Sequence, residues 1–289
     1  MKAQGAAPLQ KMDGAPQAVS LFDHLSEIAG LLNTAAHAFL FLDFDGTLAA
    51  IVDEPVEETV PAETRSSLIR LSRRSGFSVA FISGRAVGDL EARVAIEGLT
   101  YAGDHGLAIH GPGLKFVEEA ASARKPVLSL LLDDLEGRLR AIPGVRIERK
   151  DLSASVHYRR VPEGQHQQLR HIVTDSVAAA GGQFEVTQGL LVLEIRPRVD
   201  WNKGAAALWI MKSSGKQDAL PVFLGDDSTD EDAFAALANG ITVRVGQATA
   251  TVARYRLEHQ ESVGEFLAWL AELDRTPGPA ELPVRGDLG

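Results

Sequence analysis

The chain contains no cysteine in 289 residues. Disulfides and thiolate metal sites are therefore excluded, and any metal it binds must be held by oxygen or imidazole. Positive charge is also in short supply: 29 Lys and Arg stand against 39 Asp and Glu, a formal net charge of -10. That balance argues against a nucleic-acid binder or an anionic-membrane binder, and leaves room only for a local basic pocket. No segment approaches the ~18 uninterrupted apolar residues of a membrane-spanning helix. The opening stretch "MKAQGAAPLQKMDGAPQAVS" lacks the continuous apolar core of a signal peptide, so a mobile tail over residues 1–20 and a cytoplasmic location are expected. Internal repeats are absent, as is low complexity beyond that tail. What is present is a 45% hydrophobic chain, enough for a substantial core in one large domain or two ordinary ones. Nothing in it sets an oligomeric state, and a monomer is the default expectation.

Short apolar runs followed by turn signals mark the strands: "AFLFLD", "FSVAFIS", "LTYAGDHG", "LPVFLGDD" and "GITVRVG". Helical patterns lie between them, among them "PAETRSSLIRLSRR", "AVGDLEARV" and "TDEDAFAALA". Alternation of this kind predicts an α/β fold with a mostly parallel sheet covered on both faces. The middle of the chain reads differently. "GLAIHGPGLKFVE" has a hairpin turn at Gly111-Pro112-Gly113, and "QFEVTQGLLVLEIRP" has one at Gln188-Gly189. Helices are expected over about 124–140 and 165–180. Residues 148–160 alternate as a strand, with Glu148, Lys150, Leu152, Ala154 and Val156 on one parity. Paired strands with two helices predict an α+β unit inserted over residues 111–197 into a core made of 21–110 and 198–289.

Ligands in open parallel sheets bind beyond the carboxyl ends of the strands. The polar groups delivered there are Asp43 and Asp45 of "DFDGT", Ser83-Gly84-Arg85, Gly103-Asp104-His105-Gly106, and Gly225-Asp226-Asp227 with Asp230, while Lys203 opens the helix after the insert. Singly, each has an ordinary structural explanation. Asp-x-Asp-Gly is a turn sequence, Ser228 with Glu231 makes a capping box, and Lys203 alone is a solvated helix residue. Together, each after a strand or at a helix start, they fit phosphoryl transfer. A carboxylate nucleophile splits the hydrolysis into two steps. A second carboxylate can protonate the leaving oxygen and then activate water. A hydroxyl, main-chain N–H groups and an ammonium can hold the phosphoryl oxygens. Carboxylate and phosphate repel, so a divalent cation must lie between them, and an all-oxygen acidic set suits Mg2+.

In this order, "DFDGT", "SGR", Lys203 and "GDDSTDE" resemble the motifs of the haloacid dehalogenase superfamily from about residue 38 onward. The resemblance implies a Rossmann-like core with an inserted α+β (C2-type) cap. It places the nucleophile at Asp43 and the general acid/base at Asp45. It places phosphate binding at Ser83, Gly84 and Lys203, and metal binding at Asp43, Asp45 (through its carbonyl) and Asp226. Asp227 and Asp230 stand behind these, with roles it does not separate.

Within that superfamily, "YAGDHGLAI", "GDDSTDE", "ERKDLSASVHYRR" and "LLVLEIRPRVDWNKG" resemble the trehalose-6-phosphate phosphatases. The resemblance implies a small sugar-phosphate substrate whose hydroxyls are held by Glu148, Lys150 and Glu194. Carboxylates and an ammonium suit a ring of hydroxyls, although Glu148 and Lys150 on an exposed strand would by themselves be a common surface pair. His157 and Tyr158 divide between filling the insert's interior and touching sugar. Asp104 departs from the Ser or Asn frequent in the family, and His105 reads as a turn residue. Two rival readings stay open: a phosphatase for sucrose 6-phosphate or a glycosyl-phosphoglycerate, and a non-catalytic sugar-phosphate sensor.

Overall fold

The computed structural model describes residues 18–49, 59–247 and 250–274. The tail expected over 1–20 lies almost wholly outside these bounds. In chain order the strands are β1 (Val19–Ser20), β2 (Ala38–Leu42), β3 (Phe77–Ile82), β4 (Thr100–Gly103), β5 (Ala108–Gly111), β6 (Leu114–Val117), β7 (Arg146–Arg149), β8 (Ala154–His157), β9 (Phe184–Gly189), β10 (Val192–Pro197), β11 (Leu220–Gly225), β12 (Ile241–Val245) and β13 (Tyr255–Leu257). The helices are α1 (Leu25–Thr34), α2 (Ala62–Ser72), α3 (Val87–Val94), α4 (Glu119–Ala123), α5 (Lys125–Leu139), α6 (His166–Ala179), α7 (Lys203–Ser213), α8 (Asp230–Ala236) and α9 (Glu261–Glu272).

The fold is α/β. Nine strands form one sheet in the order β1-β13-β12-β11-β2-β3-β4-β5-β6, parallel from β1 to β4. Strand β2 explains why both faces are covered. Its five residues are all buried, with Leu40 and Leu42 packing into one apolar cluster and Phe39 and Phe41 into another. Alternate residues of a strand point to opposite faces, so a continuous apolar run needs cover on each. Helices α1, α2, α3 and α9 contribute to the first cluster, and α7 and α8 to the second.

The chain runs from β2 outward through β3 to β4, then returns beside β2 at β11 and runs the other way. The reversal between β2 and β11 opens a crevice at the carboxyl ends of these strands. Register brings the two ends level, with Leu42 opposite Leu224 and Phe81.

A four-stranded antiparallel sheet, β7-β8-β10-β9, forms the second layer system. Its apolar face carries Val156, Leu193 and Ile195 against Leu128, Leu132 and Leu135 of α5 and Leu169 and Val173 of α6. Three details differ from the sequence reading. The hairpin β5–β6 extends the large sheet antiparallel to β4, so the smaller unit begins after β6 and not at Gly111. The turn of the last hairpin falls on Leu190-Leu191 rather than Gln188-Gly189, because Gly189 still pairs with Val192. Residues 148–160 are not one alternating strand. A turn closed by the Lys150 N–H to the Ser153 carbonyl at 3.1 Å separates β7 from β8. It puts Ser155, not Ala154 or Val156, beside Glu148.

Candidate active site

Asp43 follows the last residue of β2 and is fastened to β11 by its N–H to the Leu224 carbonyl at 3.0 Å. Its side chain is buried, and Oδ1 accepts from Lys203 Nζ at 2.9 Å. The same ammonium donates to Asp230 Oδ1 at 2.7 Å. A lysine at the first position of a helix opposes the helix dipole. Here the two carboxylates hold it there, and Asn202 caps the helix by accepting from the Ala205 N–H at 2.9 Å. Close packing of α7 on α8 sets the reach: a Cβ on Gly204 would lie 2.6 Å from the Asp232 carbonyl.

Asp226 leaves β11 on the other side of the crevice and accepts from Thr47 Oγ1 at 2.9 Å. Gly46 at φ 78° makes room for it, since a Cβ there would meet Asp226 Oδ2 at 2.1 Å. The chain can thus bend after Asp45 only if residue 46 lacks a side chain. Asp230 is committed to protein donors: Oδ1 takes Lys203, and Oδ2 takes the Asp227 N–H at 2.9 Å.

These acids outnumber their counter-charge. One carboxylate oxygen each from Asp43, Asp226 and Asp230 lie within 4.8 Å of one another, and the one ammonium among them is bonded to Asp43 and Asp230. Burial pushes the Asp43 carboxyl well above its usual range. Lys203 pulls it down, and Asp230, Asp226 and Asp45 push it further up. Burial, aided by Asp230, carries Asp226 up to about 6. Burial works against the Lys203 charge, but Asp230 and Asp43 hold its pKa well above an ordinary lysine. A divalent cation would offset this excess negative charge, and the all-oxygen donor set fits one.

Asp45 points elsewhere. Arg85 Nε donates to its two oxygens at 2.9 and 2.8 Å, and Arg85 Nη2 also reaches Oδ1. Arg85 is braced in turn by Asp89 at 3.0 Å. Arg85 and Thr47 lie within the motifs but have no role that the sequence assigns. "SGR" reads as a strand-to-helix turn, and only the fold shows which carboxylate lies across from it. Ser83 is buried at the end of β3, its Oγ accepting the Arg85 N–H at 3.2 Å.

The smaller sheet faces this edge with its polar side. Glu148 of β7, Ser155 of β8 and Glu194 of β10 pair side by side across three strands. Ser155 Oγ donates to Glu194 Oε1 at 2.7 Å. Lys150 Nζ donates to Glu194 Oε2 at 3.2 Å and to the Gly84 carbonyl at 2.8 Å. Lys150 and Glu194 are thus joined to the turn that holds Ser83. Burial would raise the Glu194 carboxyl, but Lys150, His105 and Ser155 together hold it well below the usual range. Glu148 is held low chiefly by His157, whose Nε2 lies 2.8 Å from Oε2. Tyr158 is buried in the apolar core of the smaller unit, so it fills the interior. His105 packs on Gly84, its Nε2 4.0 Å from Glu194 Oε2.

Burial of His105 is expected to make the structure sensitive to acid. Burial pushes its pKa down to about 4. As pH falls below ~6.5 the unfolded chain gains a proton that the folded imidazole refuses, and stability drops until pH passes the folded pKa. His105→Asn, which tolerates the positive φ of 60° at this position, is expected to remove about 3 kcal/mol of the stability lost between pH 7 and pH 4. Urea titrations at these two pH values measure it. An unchanged pH dependence would place the acid sensitivity in other groups.

Known proteins are similar to this chain in sequence and fold. The sequence model of the family described as trehalose-phosphatase matches residues 41–261. A curated trehalose-phosphate phosphatase of Mycobacterium marinum is 36% identical over 272 residues, covering 88% of this chain and 69% of the relative. The crystallised C-terminal domain of a C. albicans trehalose-6-phosphate phosphatase superposes with a TM-score of 0.76 at 25% identity, covering 89% of this chain and 99% of that one. A haloacid dehalogenase-like hydrolase from Bacteroides thetaiotaomicron, 15% identical, shares the fold with a TM-score of 0.59, covering 81% of this chain and 99% of that one.

Proposed function

The chain belongs to the trehalose-phosphatase family and is a phosphoric monoester hydrolase, and we propose that it hydrolyses trehalose 6-phosphate to trehalose and phosphate, as a step in trehalose biosynthesis. The observation that supports this substrate is the path from Glu194 through Lys150 to the Gly84 carbonyl. It sets sugar-binding groups of the smaller unit directly against the phosphate turn. The smaller unit serves as the cap, and its row of Glu148, Ser155 and Glu194 presents acceptors to sugar hydroxyls.

In the proposed reaction an Asp43 carboxylate oxygen attacks phosphorus, and the bond from phosphorus to the sugar oxygen breaks. Asp45 gives its proton to that oxygen. The Asp45 carboxylate then takes a proton from water, whose oxygen attacks the aspartyl-phosphate and returns Asp43 with release of phosphate. Lys203 aims Asp43 and offsets its charge, while Ser83 Oγ and the N–H groups around Gly84 hold phosphoryl oxygens. In this structure both Asp45 oxygens accept from Arg85. The acid role requires it to turn from Arg85 toward the leaving oxygen. Asp43, Asp226 and the Asp45 carbonyl are the residues that would hold Mg2+, which when bound supplies positive charge beside the transferring phosphoryl group.

A substrate panel at fixed Mg2+, with and without EDTA, tests the reading. Trehalose 6-phosphate is expected to be turned over far faster than sucrose 6-phosphate or a glycosyl-phosphoglycerate, and EDTA is expected to abolish release. Lys150→Ala is expected to lose about tenfold more on trehalose 6-phosphate than on a small aryl phosphate, since an ammonium bonded to sugar oxygens contributes ~1.5–3 kcal/mol. Preference for another ester would replace the substrate, and no metal-dependent release from any ester would favour a sensor.

A further inference from the structure

Asp104 is a fully buried carboxylate that the reaction above does not use. It lies at φ 49°, in the left-handed region that Asp and Asn tolerate better than most residues. Its turn is bolted to the phosphate turn by two main-chain hydrogen bonds, Asp104 N–H to the Arg85 carbonyl at 2.7 Å and His105 N–H to the Ser83 carbonyl at 2.8 Å. The carboxylate reaches the other way, where Oδ1 accepts from Ser153 Oγ, itself fully buried. Ser153 closes the turn between β7 and β8, its carbonyl accepting the Lys150 N–H at 3.1 Å. Lys150 Nζ then returns to the Gly84 carbonyl at 2.8 Å. The contacts form a ring: phosphate turn, Asp104, Ser153, Lys150, phosphate turn.

We propose that Asp104 is a positioning residue for substrate recognition. By gripping Ser153 it fixes the height of Lys150 and the β7–β8 turn over Ser83 and Gly84, and so sets the span between the phosphate subsite and the sugar subsite. The cap can then select esters whose sugar fills that span. A carboxylate suits the task because a charged acceptor binds a hydroxyl more strongly than a neutral one. Desolvating it is costly: burial pushes its pKa up to about 6, against the Ser153 hydroxyl, the Lys150 ammonium and the Leu152 N–H. The cost is borne at a site where the core touches the sugar-reading turn directly.

The proposal rests on the reading of Lys150 as a sugar contact. Its test compares the wild type, Ser153→Ala and Asp104→Asn on the sugar phosphate that the panel selects and on a small aryl phosphate. Ser153→Ala is expected to raise KM for the sugar phosphate about tenfold, the size of one charge-assisted hydrogen bond, with kcat within about threefold. Its loss on the aryl phosphate is expected to be at least about fivefold smaller. Asp104→Asn keeps an acceptor and the backbone conformation but loses the charge, and its KM is expected to fall between those of wild type and Ser153→Ala. Should Ser153→Ala fail to fold, Asp104→Ser, which leaves Ser153 in place but cannot reach it, carries the same expectation. Equal losses on both substrates, or an unchanged KM in a folded Ser153→Ala, would overturn the proposal alone. A wild type that hydrolyses the aryl phosphate and no sugar phosphate would overturn the substrate reading with it.

Discussion

Asp43→Asn is expected to lower turnover by about 10^4-fold or more while making the protein more stable. The two effects have one cause. The Asp43 carboxylate is buried beside Asp226 and Asp230, and burial pushes its pKa well up, so the folded state holds this charge at a cost. Asparagine keeps the shape and an oxygen for Lys203 to donate to, but carries no charge and cannot attack phosphorus. The gain is on the order of 1 kcal/mol, a rise of about 2–4 °C in Tm for a chain of this size. Turnover and thermal melts on the same preparation read both. A folded Asn variant that kept substantial turnover would end the nucleophile assignment. Lost turnover with a lower Tm would mean that the carboxylate supports the fold and not only the chemistry.

Lys203→Met should do the opposite to stability, and its effect should depend on pH. Lys203 is the shared cation of Asp43 and Asp230, and all three side chains are buried. Removing one partner of a buried pair leaves charge without compensation, at a cost of about 3–5 kcal/mol. Asp43, already pushed up by burial, loses the charge that pulls its pKa down. The variant therefore binds protons more tightly folded than unfolded, and its stability falls as pH rises through that range. The expected deficit is largest at pH 7–8 and shrinks toward pH 5. Added divalent cation restores part of it at neutral pH. Urea titrations at pH 5 and 7.5, with and without Mg2+, measure all of this. A deficit independent of pH and metal would reduce Lys203 to a packing residue.

The acidic edge was legible in the sequence because its signals are local. Asp43 and Asp226 each end an apolar run, and a strand that must be buried does not finish in acids without reason. Lys203 alone reads as a solvated helix residue, and only its place in the motif order marks it. Arg85 was illegible as a partner of Asp45, since nothing in "SGR" says which strand end lies opposite. The turn from Lys150 to Ser153 was hidden by unbroken alternation, which looks the same for one strand as for two. Strands β1 and β13 are too short to show any periodicity and exist by pairing, β1 with β13 and β13 with β12. Asp104 was visible as an odd residue, but its meaning depends on Ser153, which comes from the other unit.

The sheet order has a consequence for how the chain reaches its native state. Strand β2 leads into Asp43 and pairs with β3 soon after synthesis, but its other neighbour, β11, lies beyond the whole smaller unit. Until β11 emerges from the ribosome, β2 presents an unpaired apolar edge. Closing it requires a long-range contact of the slow kind. The intervening sheet is built from near neighbours and can form in the interval, holding the two halves of the core close enough to meet. Nascent chains cut off before β11 should be the aggregation-prone species, and the crevice beside Asp43 comes into being only when β11 arrives.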